Sequence, residues 1–250
     1  MNHHLVLGID IGGSGIKGAL VDLGTGDVVG TRFLRDTPPD STPANVADVV
    51  AQVVDHFAER LADGPVGVTF PAIVQHGITL SAANVDQSWI DAPARQILTE
   101  RLGRPVVLVN DADAAGLAEA KYGAAKGAAG LVVVTTLGTG IGTALIYDGA
   151  LIPNSELGQI EIDGVRAETR AAASIKTKDA LSYDEYVPRL QRYYATLEKL
   201  LSPDLFVVGG GISRESDKFL PRLSLRTPII PAELRNQAGI VGAAWLAANS

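Results

Sequence analysis

Three polar residues set straight after a run of valines and leucine are the first feature of this sequence able to do chemistry. In VVLVNDADAAGLAEA, residues 106–120, Asn110, Asp111 and Asp113 follow the apolar residues Val106 to Val109. A short apolar run bounded by polar residues reads as a buried strand. The Ala-rich stretch that follows, from about Ala112 to Lys121, reads as a helix with Asn110 or Asp111 as its N-cap. Two uses of the carboxylates stay open on this segment alone. They cap the helix, or one of them points from the C-terminal end of a strand into the cleft where open α/β sheets bind ligands. A carboxylate placed in that way can accept a proton from a reacting hydroxyl.

Three glycine turns suggest what would react there. Residues 12–15 (GGSG), 138–142 (GTGIG) and 209–211 (GGG) each follow an apolar strand. Glycine allows positive φ and close backbone approach, so such turns can aim N–H groups at phosphate oxygens. Tight hairpins need glycine as well; it is the recurrence at three strand ends that favours phosphate. The Walker pattern GxxxxGK[ST] is absent. GGSGIKG is followed by a strand rather than a helix, which disfavours a dinucleotide fold and a Rossmann dehydrogenase. Asp10, just before the first turn, is suited to hold hydrated Mg²⁺ through water.

The elements that must position these residues come as a repeat. LVLGIDIGGSGIKGALVDLG (5–24) and LVVVTTLGTGIGTALIYDG (131–149) superpose on a shift of 125 residues, with Gly13 on Gly138, Gly15 on Gly140 and Ile16 on Ile141. Each copy reads as strand, glycine turn, strand and turn. The offset is half the chain length of 250 residues, which implies two related α/β domains. Val46, Val49, Val50, Val53, Val54 and Phe57 recur at helical spacing, as do Leu190, Tyr193, Tyr194, Leu197, Leu200 and Leu201. VGVTF (66–70) and the start of DLFVVGGG (204–211) read as strands. The expected division is 1–112 and 113–237, with an apolar helix at about 238–250 packing back on the first lobe.

Composition removes other classes. Hydrophobic residues make up 46% and charged residues 20%, as in ordinary folded domains. No apolar run reaches the roughly 18 residues of a membrane span, and MNHHLVLG lacks a signal-peptide layout. With no cysteine there is neither a disulfide nor a Cys-ligated zinc site, and the expected location is the cytoplasm. The net charge of −7 argues against a nucleic-acid partner, as the lack of a long apolar run does against a membrane. His3 and His4 read as a solvated end.

DIGGSGIKGAL, VNDADAAGLAE, TTLGTGIG, IPNSELG and VVGGGISR occur in this order along nearly the whole chain, and together they resemble the ROK family of sugar kinases. TTLGTGIG, AANVDQSWI, NDADAAGLAEAKYG and GIVGAAWLA look most like its polyphosphate-using glucokinase branch. The resemblance implies the duplicated ribonuclease H-like, two-lobed α/β fold of actin, Hsp70 and sugar kinases, with an interdomain cleft. It implies a phosphoryl transfer from polyphosphate, ATP or both to the 6-hydroxyl of glucose, with Mg²⁺ as cofactor and a homodimer as the assembly. Carried over residue by residue, Asp111 becomes the catalytic base, and Asn84, Asn110, Asp111, Glu156, Gln159 and Glu168 the sugar-binding set. The phosphate and nucleotide set becomes Asp10, Gly12, Gly13, Ser14, Gly15, Lys17, Thr136, Gly138, Thr139, Gly140, Gly209, Gly210 and Gly211. Asp113 reads as a first-turn helix charge.

Two departures from the family pattern stand out. The Cys-rich zinc motif of many members is missing, so no zinc site is expected. The family's ELGH reads ELGQ, placing Gln159 where a sugar-contacting histidine belongs. Glutamine can donate and accept hydrogen bonds in its place. A polyphosphate chain would need a basic track, for which Lys17, Lys121, Lys126, Lys176, Lys178, Arg214 and Lys218 are candidates. The rival readings are an ATP-dependent kinase for mannose, fructose or an amino sugar, and a non-catalytic sugar sensor. The sensor reading leaves Asp111 without a purpose.

Overall fold

The computed structural model describes residues 5–61, 63–82 and 85–250. The chain forms two compact units, Met1–Ala118 with Gln237–Ser250, and Glu119–Asn236. The first unit runs β1 (Leu5–Ile11), β2 (Gly15–Asp22), β3 (Asp27–Asp36), α1 (Pro43–Phe57), β4 (Val66–Phe70), the hairpin β5 (Val74–Gln75) and β6 (Ile78–Thr79), α2 (Ala94–Leu102), β7 (Val106–Asn110) and α3 (Asp111–Tyr122). Its main sheet has the order β3-β2-β1-β4-β7, antiparallel through β1, β2 and β3 and parallel from β1 to β4 to β7. The division between the units falls inside α3, between Ala118 and Glu119.

Local sequence explains these elements. Pro43 opens α1, where its missing N–H is no loss, and the Thr42 hydroxyl accepts the amide of Asn45. The stripe Val46, Val50, Val53, Val54 and Phe57 buries against Leu7, Ile9, Ile11, Ile16 and Leu20 of the sheet. All five residues of β4 are buried, as expected of a central parallel strand covered on both faces. Trp89 is fully buried beside Phe70, their ring centroids 4.4 Å apart, and its indole N–H donates to the Ser41 carbonyl at 2.8 Å.

The second unit repeats the plan. It contains β8 (Leu131–Leu137), β9 (Ile141–Tyr147), β10 (Ala150–Ile152), the hairpin β11 (Glu161–Ile162) and β12 (Val165–Arg166), α4 (Glu168–Ala171), α5 (Ala173–Lys178), α6 (Tyr183–Leu201), β13 (Leu205–Gly209) and β14 (Ile229–Pro231). The sheet order β10-β9-β8-β13-β14 is the order of the first sheet over again. A capping box between Ser182 and Glu185 starts α6, which buries Tyr186, Leu190, Tyr193, Tyr194 and Leu197. Leu200, expected on that face, is instead 59% exposed, whereas Leu201, expected there as well, packs on the core.

The repeat is not a single shift. β1 begins at Leu5 and β8 at Leu131, 126 residues apart, whereas Ile16 and Ile141 are 125 apart. Ile11 pairs with Ile16 across the first turn and Leu137 with Ile141 across the second, so the second turn is one residue shorter.

The last helix, α7 (Ala238–Ala248), returns to the first unit. Leu7, Ile9 and Ile11 face the α1 side, so the residues between them face the other way, toward α7. Glycine is required there for closeness: a Cβ on Gly8 would overlap the Ile240 carbonyl, and one on Gly67 the Ala243 carbonyl. Being apolar all round suits a helix buried on several sides.

Candidate active site

In the first unit, three parallel strands deliver polar residues to their C-terminal ends, on one side of the sheet. Asp10 of β1 stands level with Thr69 of β4, and Phe70 with Asn110 of β7. Asp10 Oδ1 accepts the Thr69 hydroxyl at 2.7 Å, and Lys17 Nζ lies 3.7 Å from Asp10 Oδ2. The turn after β1 closes through the Gly12 N–H donating to the Gly15 carbonyl at 3.0 Å, while the Thr37 hydroxyl donates to the Gly12 carbonyl at 2.6 Å. Gly13 and Ser14 at its tip are exposed.

At the end of β7, Asn110 is 8% exposed and engaged at both ends of its amide. Its Nδ2 donates to the Ala72 carbonyl at 3.0 Å, and its Oδ1 accepts the amides of Ala112 and Asp113. Asn110 is therefore the cap of α3, and Asp111 its half-buried first residue. Asp113, expected as a helix-end charge, sits in the first turn but is only 1% exposed.

In the second unit, Thr136 of β8 pairs with Gly209 of β13, so the two glycine turns that follow start side by side. Gly210 has φ 85° and lies so close to Leu137 that a Cβ would overlap its carbonyl. The other turns differ from expectation: Gly12, Gly15, Gly138 and Gly140 are not left-handed, and space rather than φ governs Gly12, Gly15 and Gly140, while a Cβ on Gly138 would meet nothing within 4 Å. The Gly138 N–H donates to the Gly140 carbonyl at 3.0 Å. Ser174 at the start of α5 ties this turn down, its N–H donating to the Gly138 carbonyl at 3.0 Å and its hydroxyl to the Thr139 carbonyl at 2.6 Å.

Glu156, Gln159 and Glu168 belong to one cluster. The loop that carries the first two lies tight against β9, where a Cβ on Gly158 would overlap the Ile141 carbonyl. Gln159 Nε2 donates to Glu168 Oε1 at 2.8 Å, and the Ile141 N–H donates to Glu168 Oε2 at 3.3 Å. A Cβ on Gly140 would meet that same Oε2, so the glycine makes room for the carboxylate. Burial, and then the charge of Glu168, push the Glu156 carboxyl above its ordinary range.

Arg166, absent from the sequence reading, completes the cluster. Its Nη1 donates to Gln159 Oε1 at 3.1 Å and stands 4.0 Å from Glu168 Oε1. The only signal in the sequence is a cation two residues before Glu168 on a short hairpin. Asn84 lies outside the described residues. Of the basic-track candidates, Lys121 donates to the Gly149 carbonyl, Lys218 pairs with Glu215, and Lys176 lies 4.4 Å from the centre of the Tyr183 ring.

Among the described residues no group of three or more His, Cys, Asp or Glu side chains could hold a metal ion. No described helix is long and apolar enough to cross a membrane.

Comparisons with known proteins agree on one kinship. The polyphosphate glucokinase of Mycobacterium tuberculosis is 52% identical over 238 residues, 95% of this chain and 89% of that protein. The crystal structure of an inorganic polyphosphate/ATP-glucomannokinase from Arthrobacter is 57% identical, covers 98% of both chains and superposes with a TM-score of 0.93. A ROK family glucokinase from Streptomyces griseus, solved with glucose and AMPPNP, is 25% identical at a TM-score of 0.82, covering 98% of this chain and 100% of its own. The repeated sheets are those of the duplicated, two-lobed fold shared with actin and Hsp70. The ROK family profile matches residues 6–171, a span that begins in β1 and ends just past Glu168. From that span and those identities it follows that the chain belongs to the ROK family.

Proposed function

We propose that this protein is a sugar kinase, transferring a phosphoryl group from inorganic polyphosphate or ATP to the 6-hydroxyl of glucose. The observation that carries the reading is the end of β7, where Asn110 takes over the capping of α3 beside Asp111. Asp111 shares the Ala112 amide with Asn110, which also reaches the Asp113 amide, so the cap does not rest on the Asp111 carboxylate. The relatives' names, polyphosphate glucokinase and polyphosphate/ATP-glucomannokinase, supply the donor and acceptor.

In the mechanism, Asp111 accepts the proton of the 6-hydroxyl as that oxygen forms its bond to phosphorus. The bond from phosphorus to the bridging oxygen of the donor breaks, leaving a shortened polyphosphate or ADP. Glu156, Gln159 and Glu168 bind ring hydroxyls, with carboxylates accepting and the amide both donating and accepting. Asn110 keeps one amide hydrogen for the sugar. The amides at the exposed tips of the two turns, Gly13 and Ser14 in the first and Thr139 in the second, serve phosphate oxygens, with Lys17 as counter-charge. Mg²⁺ held near Asp10 through water would neutralise charge on those oxygens. The expected homodimer belongs to the same proposal and is read from the molar mass in solution.

The test is a coupled assay crossing glucose and mannose with ATP and polyphosphate. Turnover of glucose with polyphosphate and with ATP is the expected result. Turnover with ATP alone would remove polyphosphate as donor, and no turnover with any pair would overturn the kinase reading.

A further inference from the structure

We infer that Arg166 is a positioning residue for sugar recognition, fixing the Gln159 amide in one orientation and, through it, the carboxylate of Glu168. The inference rests on the reading of Gln159 and Glu168 as sugar-binding groups.

A side-chain amide is nearly symmetric in shape but not in polarity. Turned over, it would offer its NH₂ where it had offered oxygen. Here the oxygen faces the Arg166 guanidinium at 3.1 Å and the NH₂ faces the Glu168 carboxylate at 2.8 Å. The reversed amide would set donor against cation and acceptor against anion, unfavourable at both ends. A charge at each end therefore selects one orientation. The sugar then meets a fixed pattern of one remaining amide hydrogen and the outer lone pairs of the carboxylate.

Arg166 is itself held for this task. It ends β12 opposite Glu161 in the hairpin register, and its carbonyl accepts the Thr169 hydroxyl at 2.7 Å in the first turn of α4. The hairpin thus delivers the guanidinium just before the helix that carries Glu168. The Glu168 oxygens are matched one to each neighbour, Oε1 to Gln159 and Oε2 to the Ile141 amide. Without Arg166 only one end of the glutamine stays defined, and the amide regains rotamer freedom that sugar binding must remove again. The Arg166 side chain is 59% exposed, so the effect is that of a screened charge-assisted hydrogen bond.

The experiment compares Arg166→Ala, Arg166→Lys, Gln159→Ala, the Arg166→Ala/Gln159→Ala double variant and Glu168→Gln in the glucose assay, with thermal midpoints for each. Arg166→Ala is expected to raise the glucose KM about 3- to 10-fold with kcat within about twofold, the scale of one ordinary hydrogen bond, as solvent screening at this exposed site leaves little of the charge's extra strength. Arg166→Lys, which keeps a cation but not the fork, should recover part of that loss. The double variant should be no worse than Gln159→Ala alone, because Arg166 acts through Gln159. An unchanged KM in Arg166→Ala, while Gln159→Ala and Glu168→Gln both raise it, would overturn the inference and leave the sugar site standing. Additive losses in the double variant would overturn it too, since Arg166 would then touch the sugar directly. If Gln159→Ala and Glu168→Gln also leave the glucose KM unchanged, the sugar-site reading itself fails.

Discussion

Asn110 and Asp111 both accept the amide of Ala112, each at 2.8 Å, but Asn110 also reaches the amide of Asp113, at 3.1 Å. Capping therefore survives a change at residue 111. Asp111→Asn is expected to fold normally and still bind glucose, while turnover falls about 10²- to 10⁴-fold, the usual scale for loss of a general base. Steady-state kinetics beside a glucose titration calorimetry run check it. Asn110→Ala should do the reverse to the fold, costing about 0.5–2 kcal/mol for the cap.

A methyl group at position 140 would collide with Glu168 Oε2, whereas one at position 138 meets nothing within 4 Å. Gly140→Ala should therefore displace the carboxylate and lower glucose kcat/KM by about tenfold or more. Gly138→Ala should leave the glucose KM within about twofold. The pair separates crowding of the sugar site from general damage to the glycine turn.

Glu156 gives a pH-dependent signature. Burial raises its carboxyl above the ordinary value of 4.5, and the charge of Glu168 adds to this. A carboxyl raised in the folded state costs stability once ionised. That cost is absent below the unfolded value and complete above the folded one. Glu156→Gln should accordingly raise the thermal midpoint by about 1–3 °C at about pH 7, with the gain fading as pH falls toward about 4. Scanning calorimetry across that range tests the sign. A gain that grew toward acid pH would contradict the assignment.

Glu119 is a buried acid that composition and periodicity passed over. Only 1% exposed, its carboxylate accepts the amides of Ala124 at 2.8 Å, Glu233 at 3.2 Å and Leu234 at 2.8 Å. Glu119→Ala orphans all three donors and should cost about 3 kcal/mol or more. The shift of the urea midpoint measures this, and Glu119→Gln, which keeps one acceptor oxygen, should recover part of it.

The parts of this structure legible in the sequence are those with a short-range physical cause. Val106 to Val109 read as a strand because apolar runs must be buried, and the glycine turns because hairpins and close approaches demand glycine. The 3.6-residue spacing marked α1 and α6, but it could not distinguish Leu200 from Leu201, which differ only in their angle around the helix. The duplication was visible through Gly15 and Ile16, yet the missing residue in the second turn was masked by a uniform shift. Arg166 and Glu119 were illegible because their partners lie across a hairpin or more than a hundred residues away. No local pattern encodes such a meeting. The shared duty of Asn110 and Asp111 needed atomic positions as well, since both residue types cap helices.

The packing of α7 sets an order of events during synthesis. Gly8 and Gly67 stay bare so that the backbone around Ile240 and Ala243 can lie directly on β1 and β4. On a ribosome, those two strands emerge long before the helix that covers them, and all of residues 119–236 intervene. The second unit has its whole core in one uninterrupted stretch and can close as it emerges. The first must wait with one face of its sheet uncovered, so the usual N-terminal-first sequence of domain folding is inverted. Slow translation beyond residue 236 would prolong that exposed interval, making the final helix the step at which newly made chains are most open to chaperone capture or aggregation.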